Sequence, residues 1–213
     1  RPYNEQVSQN PQTYGAYFDQ CTGYHIEANT FDSEITSRTG IGLVIHKSGS
    51  EANEVYRNTF SNLRYATIAQ SYNRGRDSEG LCYKCNTFTN NLYDIKISRE
   101  NANLLSTMDG IAAHQGANIT GDHLAPAGNL FTNDNSLAFS NSGNGFIYYR
   151  HEAPPSLMYR INPYNYIQGT GVVSVIPVSG TTYQTTSCPS KLNMGGGGSE
   201  EDMDMMAAAG AEA

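Results

Sequence analysis

The hexapeptide VYRNTF at residues 55–60 indicates the fold, because close variants of it occur at nearly constant spacing along the chain. The variants are IEANTF at residues 26–31, YKCNTF at 83–88 and, more loosely, AGNLF at 127–131. Their asparagines lie 29, 28 and 43 residues apart, so the last interval contains an insertion or an additional irregular turn. Self-similarity of this kind is typical of proteins whose units stack on one another. The repeated positions are Asn29, Phe31, Asn58, Phe60, Asn86, Phe88, Asn129 and Phe131.

A second apolar segment follows each copy, at residues 41–45, 66–68, 95–97 and 137–139. Apolar residues alternate with others at period two, which predicts a short strand with one buried face. Each unit is then a strand, an asparagine-marked bend, an inward phenylalanine and a second strand. These features predict an all-β chain, a parallel β-helix in which phenylalanines stack and asparagine amides hydrogen-bond from coil to coil. We also expect asparagine to supply the left-handed conformation at the corner.

The composition excludes several classes of protein. The chain of 213 residues has a net charge of −7 and only 13 basic residues, which disfavours binding to nucleic acid. No uninterrupted apolar stretch reaches the roughly 18 residues that span a bilayer. Charged residues make up 15%, while there are 21 Gly, 21 Asn and 15 Tyr, a composition that suits short strands and turns.

The four cysteines, Cys21, Cys82, Cys85 and Cys188, permit three disulfide connectivities. The single C-x-x-C lacks the second ligand pair of a zinc site, and it lies on a predicted strand rather than at a helix N-terminus. Structural or bridged thiols in a secreted protein are therefore the favoured interpretation. Cys21 and Cys188 lie outside the repeats, where they could tie down the ends of the chain.

The chain divides into coils at residues 1–147, a Tyr/Pro-rich C-terminal cap of the same domain at 148–194, and a glycine linker with a Met/Ala-rich tail at 195–213. A cap covers the open end of a stack, and the tail is expected to be flexible or helical. Tyrosine combines a flat apolar ring with a hydroxyl, so the cap is a candidate surface for a carbohydrate or a partner, although simple covering of the core is the favoured role. The candidate residues are Tyr148, Tyr149, Tyr159, Tyr164 and Tyr166.

Acidic and basic side chains offer only a weak catalytic signal. A polysaccharide lyase or hydrolase requires several carboxylates on one face, and a solvated face is the favoured interpretation of these residues. Residues 133–136 resemble a calcium loop but lack its glycine and closing glutamate. His25 lies one coil from Glu54, which predicts an outward ion pair. No catalytic residue, metal or cofactor is predicted. The charged residues considered are Asp77, Glu79, Asp94, Lys96, Arg99 and Glu100.

The Asn-Thr-Phe-x-Asn form at residues 58–62 and 86–90, together with residues 80–95, resembles the right-handed parallel β-helix regions of large secreted Bacteroidota proteins. The resemblance covers about residues 20–198 and extends to the segment 188–198. It implies a piece of a larger type IX secretion cargo protein, without the C-terminal sorting domain of that group. The resemblance specifies fold and lineage, and it assigns no catalytic residue to this chain.

We therefore expect a secreted or cell-surface β-helix module with a structural, adhesive or partner-binding role. The alternative is a polysaccharide-active enzyme of β-helix type, a lyase or a hydrolase. The expected partners are other domains of a parent chain, an extracellular assembly or a glycan. A third possibility is an assembly subunit that docks its partner through open coil ends or the tail.

Overall fold

The computed structural model describes residues 13–33, 38–76, 79–101, 103–132, 136–153, 159–163, 166–168 and 171–192. Within these residues the secondary structure is all β apart from one 3-10 helix at Thr185–Ser187. The strands are β1 (Tyr14–Asp19), β2 (His25–Glu27), β3 (Thr30–Asp32), β4 (Ile41–His46), β5 (Asn53–Tyr56), β6 (Thr59–Ser61), β7 (Tyr65–Gln70), β8 (Leu81–Lys84), β9 (Thr87–Thr89), β10 (Tyr93–Ser98), β11 (His114–Gln115), β12 (Leu130–Thr132), β13 (Leu137–Asn141), β14 (Phe146–Ala153), β15 (Tyr159–Arg160), β16 (Tyr166–Gln168) and β17 (Val173–Thr182).

Strands of successive coils pair in parallel, so the predicted parallel β-helix is confirmed. The long strands form a six-stranded sheet in the order β1-β4-β7-β10-β13-β16. A second side carries β2-β5-β8 and β11-β14-β17, and the third carries β3-β6-β9-β12 with β15 added in antiparallel orientation. Each phenylalanine therefore has a three-residue strand of its own, so a coil contains three strands rather than the two expected.

The interior contains the two ladders that the repeat predicts. The rings of Phe31, Phe60, Phe88 and Phe131 stack with centroids 5.0, 5.4 and 5.5 Å apart. Beside them, the amide nitrogen of each repeated asparagine donates to the side-chain oxygen of the next at 3.0, 3.2 and 3.1 Å. Each of these oxygens also accepts the backbone N–H of the preceding asparagine. Buried backbone N–H groups require acceptors. At the bend, where these groups have no partner in a sheet, the asparagine side-chain oxygens provide the acceptors.

The asparagines do not supply the left-handed conformation at this corner, and that expectation was wrong. The residue before each one has the positive φ instead: Ala28 (59°), Arg57 (52°), Cys85 (62°) and Gly128 (68°). The amide of the asparagine reaches the neighbouring coil because the preceding residue turns the chain. Positive φ values do occur at asparagine on the next corner, at Asn62 and Asn90.

The 43 residues between Asn86 and Asn129 include two irregular segments that the shorter coils lack. After β10 the described residues 99–101 and 103–113 lie in a loop, and β11 is followed by an excursion that closes with a bridge between Gly116 and Pro126. Between β8 and β11 the side chain of Gln115 takes the place of backbone hydrogen bonds. It accepts the N–H of Tyr83 at 2.8 Å and donates to the carbonyl of Leu81 at 3.1 Å. The additional residues in this interval agree with the insertion or irregular turn predicted from the spacing.

The described part of the segment 148–192 continues the stack through β14 and β17, which pair in parallel. Residues 184–192 then cross the corner beside β2, β5 and β8, and we call them the strap. A disulfide joins Cys85 to Cys188, whereas Cys21 is an exposed free thiol. Cys188 thus ties the strap to the coils, whereas Cys21 takes no part in this bond. The tail at 195–213 lies outside the described residues.

Candidate functional site

The outer side of the six-stranded sheet carries a band of apolar and aromatic side chains, which we call the tyrosine face. Strand register aligns two columns of residues across the coils. The first contains Tyr14, Ile41, Tyr65, Tyr93 and Leu137, and the second contains Tyr17, Val44, Ile68, Lys96 and Ser140. Parallel pairing in register produces these columns, because equivalent positions of successive coils face the same way.

An aliphatic floor supports the tyrosines. Ile41, Val44 and Ile68 form a cluster separate from the central core, with 3%, 1% and 6% of their surface exposed. Tyr65 packs against this cluster, and its ring stacks on that of Tyr93 with centroids 5.0 Å apart. Residues with this packing hold fixed rotamers, so the floor is a rigid support for the tyrosine rings.

Cations and exposed rings complete the face. Lys96 Nζ lies 4.6 Å from the centroid of the Tyr65 ring, and Arg64 Cζ lies 5.4 Å from it. Tyr14 and Tyr17 are 52% and 53% exposed, and their rings meet edge to face. Partial burial, together with the nearby Asp19 carboxylate, raises the pKa of Tyr17, so its hydroxyl remains protonated and can donate a hydrogen bond.

A polar column borders the apolar band on the same strands. It consists of Asp19, His46, Gln70 and Ser98, aligned by the register of β1, β4, β7 and β10. His46 Nδ1 lies 2.7 Å from the Asp19 carboxylate. The face therefore combines an apolar strip with an edge of hydrogen-bonding groups.

The tyrosines selected from the sequence occupy different environments. Tyr148 lies inside the core, 1% exposed, against Phe131 and Phe139, so its ring is inaccessible to a ligand in solution. Burial raises the pKa of its hydroxyl. Tyr149 is half-buried, with its ring 5.8 Å from that of His114. The backbones of Tyr159 and Tyr166 lie in β15 and β16, but their side chains and all of Tyr164 are outside the described residues.

In the part of the chain that the structure describes, the charged residues considered as catalytic are not brought together. Asp94 is buried and accepts a hydrogen bond from Asn91, whereas Lys96 lies on the tyrosine face. Glu100 pairs with Lys47 at 2.6 Å. Glu79 is exposed and Asp77 falls outside the described residues, as do residues 133–135. Among the described residues, no group of three His, Cys, Asp or Glu side chains is arranged to hold a metal ion.

The predicted pair of His25 and Glu54 is confirmed, and it belongs to a larger cluster. His25 Nδ1 lies 3.0 Å from Glu54, and its Nε2 lies 2.6 Å from the buried carboxylate of Glu27. The strap reaches the same cluster through Ser190 and Lys191, which donate to Glu27 Oε1 at 2.8 and 3.0 Å. Both nitrogens of the imidazole thus face carboxylates across the first two coils.

The tyrosine face is not among the predictions from the sequence, although a signal for it is present. Tyr65 and Tyr93 are 28 residues apart, the same interval as Asn58 and Asn86. An aromatic residue recurring at the coil period indicates a column on one face, whereas density of tyrosine in one segment does not.

No helix in the described part of the chain is long and apolar enough to cross a membrane. Comparison with protein-family models, with curated proteins and with solved structures found no match to this chain.

Proposed function

We propose that this chain is a non-catalytic binding module that holds an extended polysaccharide on the tyrosine face. The observation that carries the proposal is the column that aligns Tyr14 of β1 with Tyr65 of β7 and Tyr93 of β10, with Tyr17 of β1 in the next column and a polar column beside them. A pyranose ring has an apolar face of C–H groups and an edge of hydroxyls. A surface with an apolar strip and a hydrogen-bonding border complements both.

The dimensions of the face favour a chain over a single sugar. Neighbouring strands in a sheet are about 4.8 Å apart, so the five strands from β1 to β13 extend over about 20 Å. Tyr14 and Tyr17 offer exposed rings at the first strand, and Lys96 adds a cation further along. A rigid, pre-formed surface lowers the entropic cost of binding an extended ligand.

We place this module in a secreted or cell-surface protein, as its resemblance to type IX secretion cargo of Bacteroidota implies. The buried Cys85–Cys188 disulfide supports that location, because such bonds persist in oxidising compartments. In that setting the module would serve adhesion to a glycan-bearing surface.

Binding to a glycan array and co-sedimentation with insoluble polysaccharides test the proposal. The wild-type chain is compared with a Tyr14→Ala, Tyr17→Ala double variant. Losing two rings worth about 1 kcal/mol each lowers affinity about 30-fold. Tyr149→Ala is the matched control, because this tyrosine is on a different sheet, and it is expected to bind like the wild type.

A reducing-end assay on each bound polysaccharide accompanies the binding measurement. No release of reducing ends or unsaturated products is expected. The proposal is overturned if no glycan binds, if the double variant binds as well as the wild type, or if the chain cleaves its ligand. Circular dichroism of each variant confirms that the fold is retained.

A further inference from the structure

The strap is attached to three successive coils by contacts of different kinds. Cys188 is bonded to Cys85 at the corner after β8. One coil earlier, the Tyr56 hydroxyl donates to the carbonyl of Pro189 at 2.7 Å. Lys191 Nζ lies 4.4 Å from the centre of the same tyrosine ring. The chain thus returns from the last coil to the first along one corner of the β-helix.

The far end of the strap is anchored by carboxylates. The Glu27 side chain has no accessible surface, and it accepts hydrogen bonds from Ser190 Oγ and the Lys191 backbone. Lys191 Nζ also donates to Glu54 at 2.5 Å. Hydrogen bonds to charged groups are among the stronger ones, so these contacts hold the far end of the strap against the coils in addition to the disulfide.

The disulfide itself is sheltered. Cys85 and Cys188 are 6% and 7% exposed and pack with Tyr56 and Tyr183. The neighbouring free thiol, Cys82, is not expected to attack the disulfide, because burial and the Glu54 carboxylate raise its pKa to about 11. A thiol is unreactive while protonated, since the thiolate is the nucleophile.

We propose that the strap is a redox latch with a fixed order of opening, in which the Glu27 anchor must release before a dithiol can reduce the Cys85–Cys188 disulfide. The dithiol attacks one sulfur as a thiolate and forms a mixed disulfide. Its second thiol then displaces the protein sulfur and becomes a cyclic disulfide. Two electrons and two protons pass to the protein, which gains two thiols. Opening uncovers Glu27 and Tyr56, both buried beneath the strap in the closed form.

The rate of reduction by dithiothreitol tests the order of opening. Samples are quenched in acid and unfolded in denaturant before alkylation, so that mass spectrometry counts every thiol, two before reduction and four after it. Glu27→Gln keeps the size of the side chain but removes its charge, and it should accelerate reduction about tenfold or more. Glu79→Gln, at an exposed position, is the matched control and should reduce at the wild-type rate. Equal rates for both folded variants and the wild type would overturn the proposal.

Trypsin provides a second readout of the open strap. The Lys191–Leu192 bond follows a side chain that is paired with Glu54, so cleavage there should be slow in the oxidised protein and at least tenfold faster after reduction. The far-ultraviolet circular dichroism should stay unchanged, because the Asn and Phe ladders do not involve the strap. The latch is refuted if cleavage at Lys191 is equally fast in both redox states, or if reduction unfolds the coils.

Discussion

Replacing Asn86 by alanine removes the centre of the asparagine ladder. Its amide donates to the carbonyl of Val55 at 2.8 Å and to Asn129 Oδ1 at 3.1 Å, and its oxygen accepts the backbone N–H of Asn58 at 3.0 Å. The residue is completely buried, so water cannot replace these partners. The N–H of Asn58 and the carbonyl of Val55 both lose the bond. At about 1–3 kcal/mol for each of these two buried groups left unpaired, the free energy of unfolding falls by about 2–6 kcal/mol.

Urea unfolding of the oxidised protein, followed by circular dichroism, measures this loss. Asn29→Ala is the control, because Asn29 ends the ladder, is exposed, and provides no acceptor for an earlier coil in the described residues. Asn29→Ala should lower the free energy of unfolding by less than about 1 kcal/mol, as is usual for substitutions at exposed positions. If the two variants were destabilised equally, the ladder would not carry the stability assigned to it.

Three further predictions concern the core and the titratable groups. Phe88→Ala, at a completely buried ring between two stacked neighbours, should destabilise by about 3–5 kcal/mol in urea, and Phe88→Leu by much less. Iodoacetamide at pH 8 should label Cys21 quickly and leave Cys82 largely unmodified, because burial and the Glu54 carboxylate raise the pKa of Cys82 to about 11; equal labelling in the folded protein would contradict this. Burial raises the pKa of Glu27, but hydrogen bonds from His25, Lys191 and Ser190 outweigh it and hold that pKa below its ordinary value. The stability that Glu27 contributes is thus present above about pH 4.3 and is lost as the pH falls through its folded pKa. The urea midpoint of the wild type should exceed that of Glu27→Gln at neutral pH and converge with it in acid, and a constant difference would refute the assignment.

The sequence predicted the features that repeat at the coil period. Asn58 and Asn86, each followed two residues later by a phenylalanine, form a short motif that can be recognised in each copy of the repeat. Their alignment in the structure follows from parallel stacking alone. The left-handed residue before each asparagine could not be predicted, because Ala28, Arg57 and Cys85 share no side-chain chemistry that marks a positive φ.

The candidate site was harder to predict because it depends on which side of a strand faces outward. Tyr148 and Tyr149 are consecutive in one strand, so only one of the two can face the solvent. Because of the insertions between β10 and β12, the register of β14 could not be deduced from the repeat spacing. The sequence therefore did not indicate which of the two tyrosines faces the solvent. The strap depends on pairing between residues 103 positions apart, which no local pattern encodes.

The Cys85–Cys188 bond has a mechanical consequence for a module held between two surfaces. Tension applied through the two chain ends passes through the disulfide bond. It therefore bypasses the loop between Cys85 and Cys188, which are 103 positions apart in the sequence. At about 3.3–3.6 Å per extended residue, roughly 340–370 Å of chain is withheld from extension while the bond is intact. The later coils bear no load in this state, and stretching is confined to the first coils and to the segments outside the loop.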